Sequence, residues 1–172
     1  TESYTKQAEG YKETSSWRTL DEEYNMVSIG QMVGQILEEN GIRVIHHKEL
    51  NDYPSYNGSY EQARGAIQAY LRQYPTIRLV LDVHRDALAA ADGTIYKTAA
   101  GTVKDCAQVM LVMGSDAGGM KHPNWRVNLS LATSIQKAIT DKWVTLARPI
   151  VLRTSRFNQQ QSTGAILVEI GT

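Results

Sequence analysis

The stretch TIRLVLDVHRDA, residues 76–87, decides the fold prediction. Its first part, from Ile77 to Val83, is a nearly unbroken apolar run, which is typical of a strand that is buried within a sheet. Four ionisable residues lie at or near the end of this strand, namely Asp82, His84, Arg85 and Asp86. In sheets built from parallel strands, sites form beyond the carboxyl ends of the strands. The stretch therefore predicts both a buried strand and a functional site at its end.

Helical and strand patterns alternate along the rest of the chain. Thr19 and Glu22 match a capping box, with Thr19 as N-cap and Glu22 at N3 of the first helix, and Asn40-Gly41 ends that helix. The other predicted elements are a short strand at 42–47, helices at about 59–74 and 124–141, and strands at 107–114, 148–155 and 164–171. We predict one α/β domain over residues 1–172, with a mostly parallel twisted sheet and helices on both faces.

Composition and charge exclude several function classes. The chain has 172 residues, with 18 basic and 18 acidic side chains and a net charge of zero. Because nucleic-acid binding requires a basic excess, we expect no nucleic-acid partner. No apolar run approaches the roughly 20 residues of a membrane span, and one cysteine gives no disulfide framework. Since the chain begins with Thr1, we expect a fragment or processed form whose membrane anchor lies upstream.

A second apolar strand repeats the pattern of the first. The segment AILVEIG, residues 165–171, places Glu169 at the end of this strand. We expect His84 and Glu169 to converge across one edge of the sheet. An imidazole and carboxylates are the ligand chemistry of a zinc hydrolase, although no HExxH motif is present. Two plainer roles stay open, a hydrogen-bonded strand-end histidine and an ion pair of Glu169 with Arg153 or Arg85.

Four longer stretches carry a family resemblance. They are NDYPSYNGSY at 51–60, LDVHRDA at 81–87, HPNWRVNL at 122–129 and VEIGT at 168–172. In these stretches the chain resembles the catalytic domain of the stage II sporulation protein P family, which comprises cell-wall hydrolases of endospore-forming Firmicutes. The resemblance implies a fold and catalysis similar to the zinc-dependent N-acetylmuramoyl-L-alanine amidases. It implies cleavage of the amide between N-acetylmuramic acid and L-alanine of the stem peptide, and also of peptide cross-links.

The resemblance also implies roles for individual residues. Glu169 matches the general base of the amidases, and His84 matches a ligand of Zn2+. The family carries its first histidine ligand just upstream of residue 1, so Glu2 would stand three residues after that histidine and is predicted to be a zinc ligand. Glu22, at the start of the first helix, is the competing candidate for the same position.

Other residues are candidates for orienting the site or lining a groove. Asp86 is expected either to hold His84 or to pair with Arg85, and either contact would orient the imidazole. The tyrosines of the 51–60 loop line a glycan or peptide groove, or they pack the loop against the sheet. The candidates for the substrate groove are Tyr56, Asn124 and His122.

Expected partners follow from the same resemblance. They are peptidoglycan as the substrate and the stage II sporulation proteins D and M, with the membrane reached only through an N-terminal anchor outside the chain. The implied setting is extracytoplasmic, at the septal or engulfing membrane of a sporulating cell. Two other functions stay open, an inactive peptidoglycan-binding module that recruits other wall hydrolases and a zinc peptidase that cuts cross-links. The domain is expected to be truncated at both ends.

Overall fold

The computed structural model describes residues 18–94, 96–103 and 106–171. These residues fall into two compact units that divide between Ser59 and Tyr60. The first unit contains helix α1 (Met26–Glu39). The other α-helices are α2 (Ser59–Gln73) and α3 (Trp125–Lys142). The strands are β1 (Val80–His84), β2 (Val109–Gly114), β3 (Val151–Arg153) and β4 (Ala165–Ile170), and 3-10 helices lie at Glu22–Tyr24 and Gln159–Gln161. In the described ranges, no helix is both long enough and apolar enough to cross a membrane.

Helix α1 begins later than the capping-box pattern predicts. Asn25 is its N-cap, because the Asn25 side-chain oxygen accepts a hydrogen bond from the Val27 N–H at 2.9 Å. The Thr19 hydroxyl instead accepts from the Asp21 N–H at 3.1 Å, and Asp21 caps a short 3-10 helix at Glu22–Tyr24. The prediction of Thr19 as the cap was therefore wrong. Asn and Asp are better N-cap residues than Thr, and both lie closer to the helical segments.

The segment 42–47, predicted as a short strand, forms none. His46 packs against α1 so closely that its Nε2 lies 2.7 Å from the position that a Cβ on Gly30 would occupy. A strand needs a neighbour with which to exchange backbone hydrogen bonds. Among the described residues, all strands of the sheet belong to the second unit. The prediction was wrong because β-branched residues alone do not fix a strand.

The described strands of the second unit form one sheet with the order β1-β4-β2-β3. The pairs β1–β4 and β2–β3 are parallel, and the central pair β2–β4 is antiparallel. This confirms the predicted α/β class with a mostly parallel sheet. The antiparallel pair was not predicted. Because of it, β1 and β4 end at one edge of the sheet, here named the β1/β4 edge, whereas β2 and β3 end at the opposite edge.

Helix α3 packs against one face of this sheet. Leu111 and Met113 of β2 and Ile166 of β4 are at most 3% exposed and cluster with Ala132 of α3. Burying each large apolar side chain contributes about 1.5–3 kcal/mol relative to leaving it exposed. A register slip by one residue would turn these side chains away from α3. The core therefore fixes the register in which β4 and β2 pair beneath α3.

Candidate functional site

His84 and Glu169, the two residues predicted to converge, lie side by side at the β1/β4 edge. They are register partners in the parallel pairing of β1 with β4, and neighbouring strands lie about 4.8 Å apart. Side chains alternate along a strand, and Ile166 and Val168 pack toward α3. Glu169 and His84 therefore point to the other face of the sheet. One imidazole and one carboxylate share the same face and the same edge.

Asp82 joins this pair from within β1. Its Oδ1 lies 2.9 Å from Nε2 of His84, and the two side chains are 30% and 28% exposed. Asp82 and His84 are two residues apart on one strand, so they project from the same face. A carboxylate that contacts an imidazole nitrogen fixes the ring orientation. Asp82 thus contacts His84 along β1, and Glu169 is the register neighbour of His84 on β4.

Asp86, which the sequence predicts to hold His84 or to pair with Arg85, makes its ion pair with a third residue. Asp86 Oδ2 accepts a hydrogen bond from Arg148 Nη1 at 2.7 Å. Arg85 Nη1 donates to the backbone carbonyl of Asp86 at 2.9 Å. The Arg85 side chain therefore contacts the backbone of Asp86, and Asp82 supplies a carboxylate contact to His84.

The groove candidates that follow β2 lie at the opposite edge of the sheet. Asn124 immediately precedes α3. In the loop between β2 and Asn124, Ser115 donates to the backbone carbonyl of Arg153 at the end of β3, and the Lys121 carbonyl accepts from Arg156 just after β3. His122 is 1% exposed, so its ring packs in the interior. Burial lowers the pKa of His122 below its ordinary value, the Arg156 guanidinium lowers it further, and Asp116 opposes the shift. The structure therefore does not bring Asn124 or His122 to the β1/β4 edge.

The remaining site candidates belong to the first unit or lie outside the described residues. Tyr56 is 58% exposed, and the guanidinium carbon of Arg18 lies 5.2 Å from the centroid of its ring. Glu22 lies in the 3-10 helix that precedes α1. Burial lowers the pKa of His46, and the Glu22 carboxylate opposes that shift. Glu2, the predicted zinc ligand, lies outside the described residues.

A catalytic zinc ion needs three protein ligands and an open position for water. Over the ranges that the structure describes, no three His, Cys, Asp or Glu side chains form a group that could hold a metal ion. The β1/β4 edge supplies an imidazole from His84 and carboxylates from Asp82 and Glu169, which are donor types that zinc accepts. These three side chains do not form a three-ligand group, so the donor chemistry fits zinc only in part, and a full ligand set needs donors beyond the described residues, of which Glu2 is one candidate.

Two residues of this edge, Asp82 and Arg148, have no role predicted from the sequence. The contact of Asp82 with His84 could have been predicted from strand periodicity, because Asp82 stands two residues before His84 within the same predicted strand. Arg148 gave no local signal, since it lies 62 residues from its partner Asp86. Only the pairing of strands across the sheet brings those two together.

Comparisons with known proteins agree with the resemblance in the sequence. The family model described as Stage II sporulation protein P (SpoIIP) matches residues 1–172. The stage II sporulation protein P of Bacillus subtilis (strain 168) is 28% identical over 182 aligned residues, which cover 99% of this chain and 43% of that protein. The chain thus spans less than half the length of this relative, and no solved structure matches it. Because the family model matches the whole chain, the chain belongs to the stage II sporulation protein P family.

Proposed function

We propose that the chain is the catalytic domain of a peptidoglycan hydrolase that acts in sporulation. The observation that carries the proposal is the register pairing of His84 with Glu169 at one edge and on one face of the sheet. The name of the relative, a stage II sporulation protein, supports the setting. We further propose that the scissile bond is the amide between N-acetylmuramic acid and L-alanine of the stem peptide.

Glu169 serves as the general base in this proposal. Its carboxylate takes a proton from the attacking water, whose oxygen adds to the lactyl carbonyl carbon. The same proton then passes to the nitrogen of L-alanine as the C–N bond breaks, so the products are a lactyl carboxylate and a free amine. Asp82 holds the His84 ring at Nε2 during these steps.

Within this chain, His84 and Glu2 are two of the three proposed zinc ligands, with Glu22 as the competing residue for the second position. The chemistry that bound zinc supplies is polarisation of the scissile carbonyl and a lower pKa for water. The proposal for His84 draws support from its imidazole at the strand end, beside the proposed base. Glu2 is proposed from the family resemblance alone.

The proposed partners and location come from the family as well. We propose that the parent protein lies outside the cytoplasm, anchored to the septal or engulfing membrane by a segment that precedes this chain. Peptidoglycan is the proposed substrate, and the stage II sporulation proteins D and M are the proposed protein partners. Thinning of the septal wall during engulfment is the proposed process.

New amino termini released from purified sacculi identify the bond that the intact protein cuts. An amidase exposes the amine of L-alanine, whereas a cross-link peptidase exposes the amine of the acceptor stem. A recruiting module binds the sacculi and exposes neither. We expect alanine amines from the wild type and none from the Glu169→Gln variant, which keeps the shape of the side chain and loses the base. Wall binding without any new amine would overturn the enzymatic proposal.

A further inference from the structure

Arg148 brings a buried positive charge to the β1/β4 edge. Its backbone N–H donates to the carbonyl of Val109, at the start of β2, at 2.8 Å. Its Nη1 donates to Asp86 Oδ2 at 2.7 Å, and the two side chains are only 13% and 17% exposed. Its Nε and Nη2 are buried and have no hydrogen-bond partner within the described ranges. Asp86 therefore supplies the ion pair that compensates the Arg148 charge.

Asp86 connects this charge to the ends of β1 and β4. The Asp86 N–H donates to the carbonyl of Gly171 at 3.2 Å, so the parallel pairing of the two strands continues beyond their last residues. Asp86 Oδ1 accepts from the Ala87 N–H at 2.7 Å, which fixes the carboxylate relative to its own backbone. One side chain thus holds the segment after β1, and Arg148 holds that side chain to the start of β2.

We propose that Arg148 is a positioning residue for wall hydrolysis. Through Asp86 it keeps the end of β1 in register with the end of β4, and so keeps His84 beside Glu169. A displacement of about 1 Å at reacting groups costs on the order of 10²-fold in rate. Removing one partner of a buried ion pair leaves an uncompensated charge, so the two residues act as a unit. The catalytic consequence rests on the proposed function, whereas the effect on His84 rests on geometry alone.

Three variants of the intact protein test this proposal. Arg148→Met keeps an unbranched stem without the charge, and Arg148→Lys keeps one charged contact with Asp86. Lys137→Met is the matched control, because it breaks an ion pair with Asp141 on α3 whose side chains are 74% and 62% exposed. One measurement is kcat and KM on soluble glycan-peptide fragments. The other is the NMR signal of the carbon-13-labelled His84 ring, which needs no activity.

We expect Arg148→Met to lower kcat about 10–100-fold with little change in KM, and to shift the His84 signal. Arg148→Lys should recover most of kcat and the wild-type signal, and Lys137→Met should change neither. If the wild type itself hydrolyses nothing, the proposed function fails and the His84 signal still decides the positioning role.

A folded Arg148→Met protein with an unshifted His84 signal overturns the inference, as does one with an unchanged kcat. Unfolding with urea shows whether the variant is folded. If Arg148→Met does not fold, Asp86→Asn takes its place, because it weakens the same contact while keeping the shape of the side chain. The same two outcomes then apply to Asp86→Asn.

Discussion

Replacing Asp82 with asparagine tests how His84 is held. Asp82 Oδ1 lies 2.9 Å from His84 Nε2, and asparagine keeps the shape and an acceptor oxygen there but removes the charge. A carboxylate that contacts a functional histidine typically contributes about 10–100-fold. Both side chains are close to a third exposed, at 30% and 28%, so solvent screens the pair. We therefore expect a loss near the lower limit, about tenfold in kcat, or about 1.4 kcal/mol in the barrier.

The assay is the rate of amine release from sacculi by the intact protein, with urea unfolding as a check on folding. Asp82→Ala removes the acceptor as well as the charge, so its rate should fall below that of Asp82→Asn. Asp141→Asn removes a carboxylate from an exposed pair on α3 and serves as the control. If folded Asp82→Asn and Asp82→Ala both keep the wild-type rate, Asp82 does not orient the imidazole and the reasoning is refuted.

Two further predictions concern the interior of the second unit. Gln159 is 1% exposed, its Oε1 accepts from the Gly114 N–H at 2.9 Å and its Nε2 donates to the Val112 carbonyl at 2.8 Å. Gln159→Met leaves the Gly114 N–H and the Val112 carbonyl without their hydrogen bonds, and each such buried group costs about 1–3 kcal/mol. The free energy of unfolding in urea titration should therefore fall by about 2–6 kcal/mol. A loss under about 1 kcal/mol would contradict this prediction. Burial lowers the pKa of His122 from its ordinary 6.5. As the pH falls, His122 therefore becomes protonated in the unfolded chain before it does in the folded protein. The contribution of neutral His122 to folding stability is lost as the pH falls below about 6.5 toward the lowered pKa. His122→Leu should lose less stability than the wild type between about pH 7.5 and about pH 5.5, and equal losses in urea midpoints would count against the burial argument.

The neighbouring positions of His84 and Glu169 could be predicted because the sequence signal for each is local. His84 and Glu169 each stand out as ionisable residues at the end of an apolar strand. Their convergence follows once β1 and β4 are neighbours and parallel, and the structure pairs them directly. The orientation of β2 has no such signal, because apolar strands look alike in either direction. Its antiparallel pairing with β4 places Asn124 at the opposite edge.

The predictions that failed depend on competition between neighbouring cap residues or on contacts between residues far apart in the sequence. Thr19 matches a capping box, yet Asn25 caps α1 because better N-cap residues stand nearer the helix. The apolar residues of segment 42–47 suggest a strand, but no strand partner lies within the described part of the first unit. The ion pair of Arg148 with Asp86 spans 62 residues, so no local pattern could reveal it.

In the proposed mechanism, His84 and Glu169 act in one site with different roles. The deciding measurement is wall digestion together with bound zinc for His84→Ala and Glu169→Ala in the intact protein. We predict that both variants lose digestion and that only His84→Ala loses zinc, because Glu169 moves protons while His84 binds the ion. Digestion that survives in Glu169→Ala, or full zinc content in His84→Ala, would contradict the account.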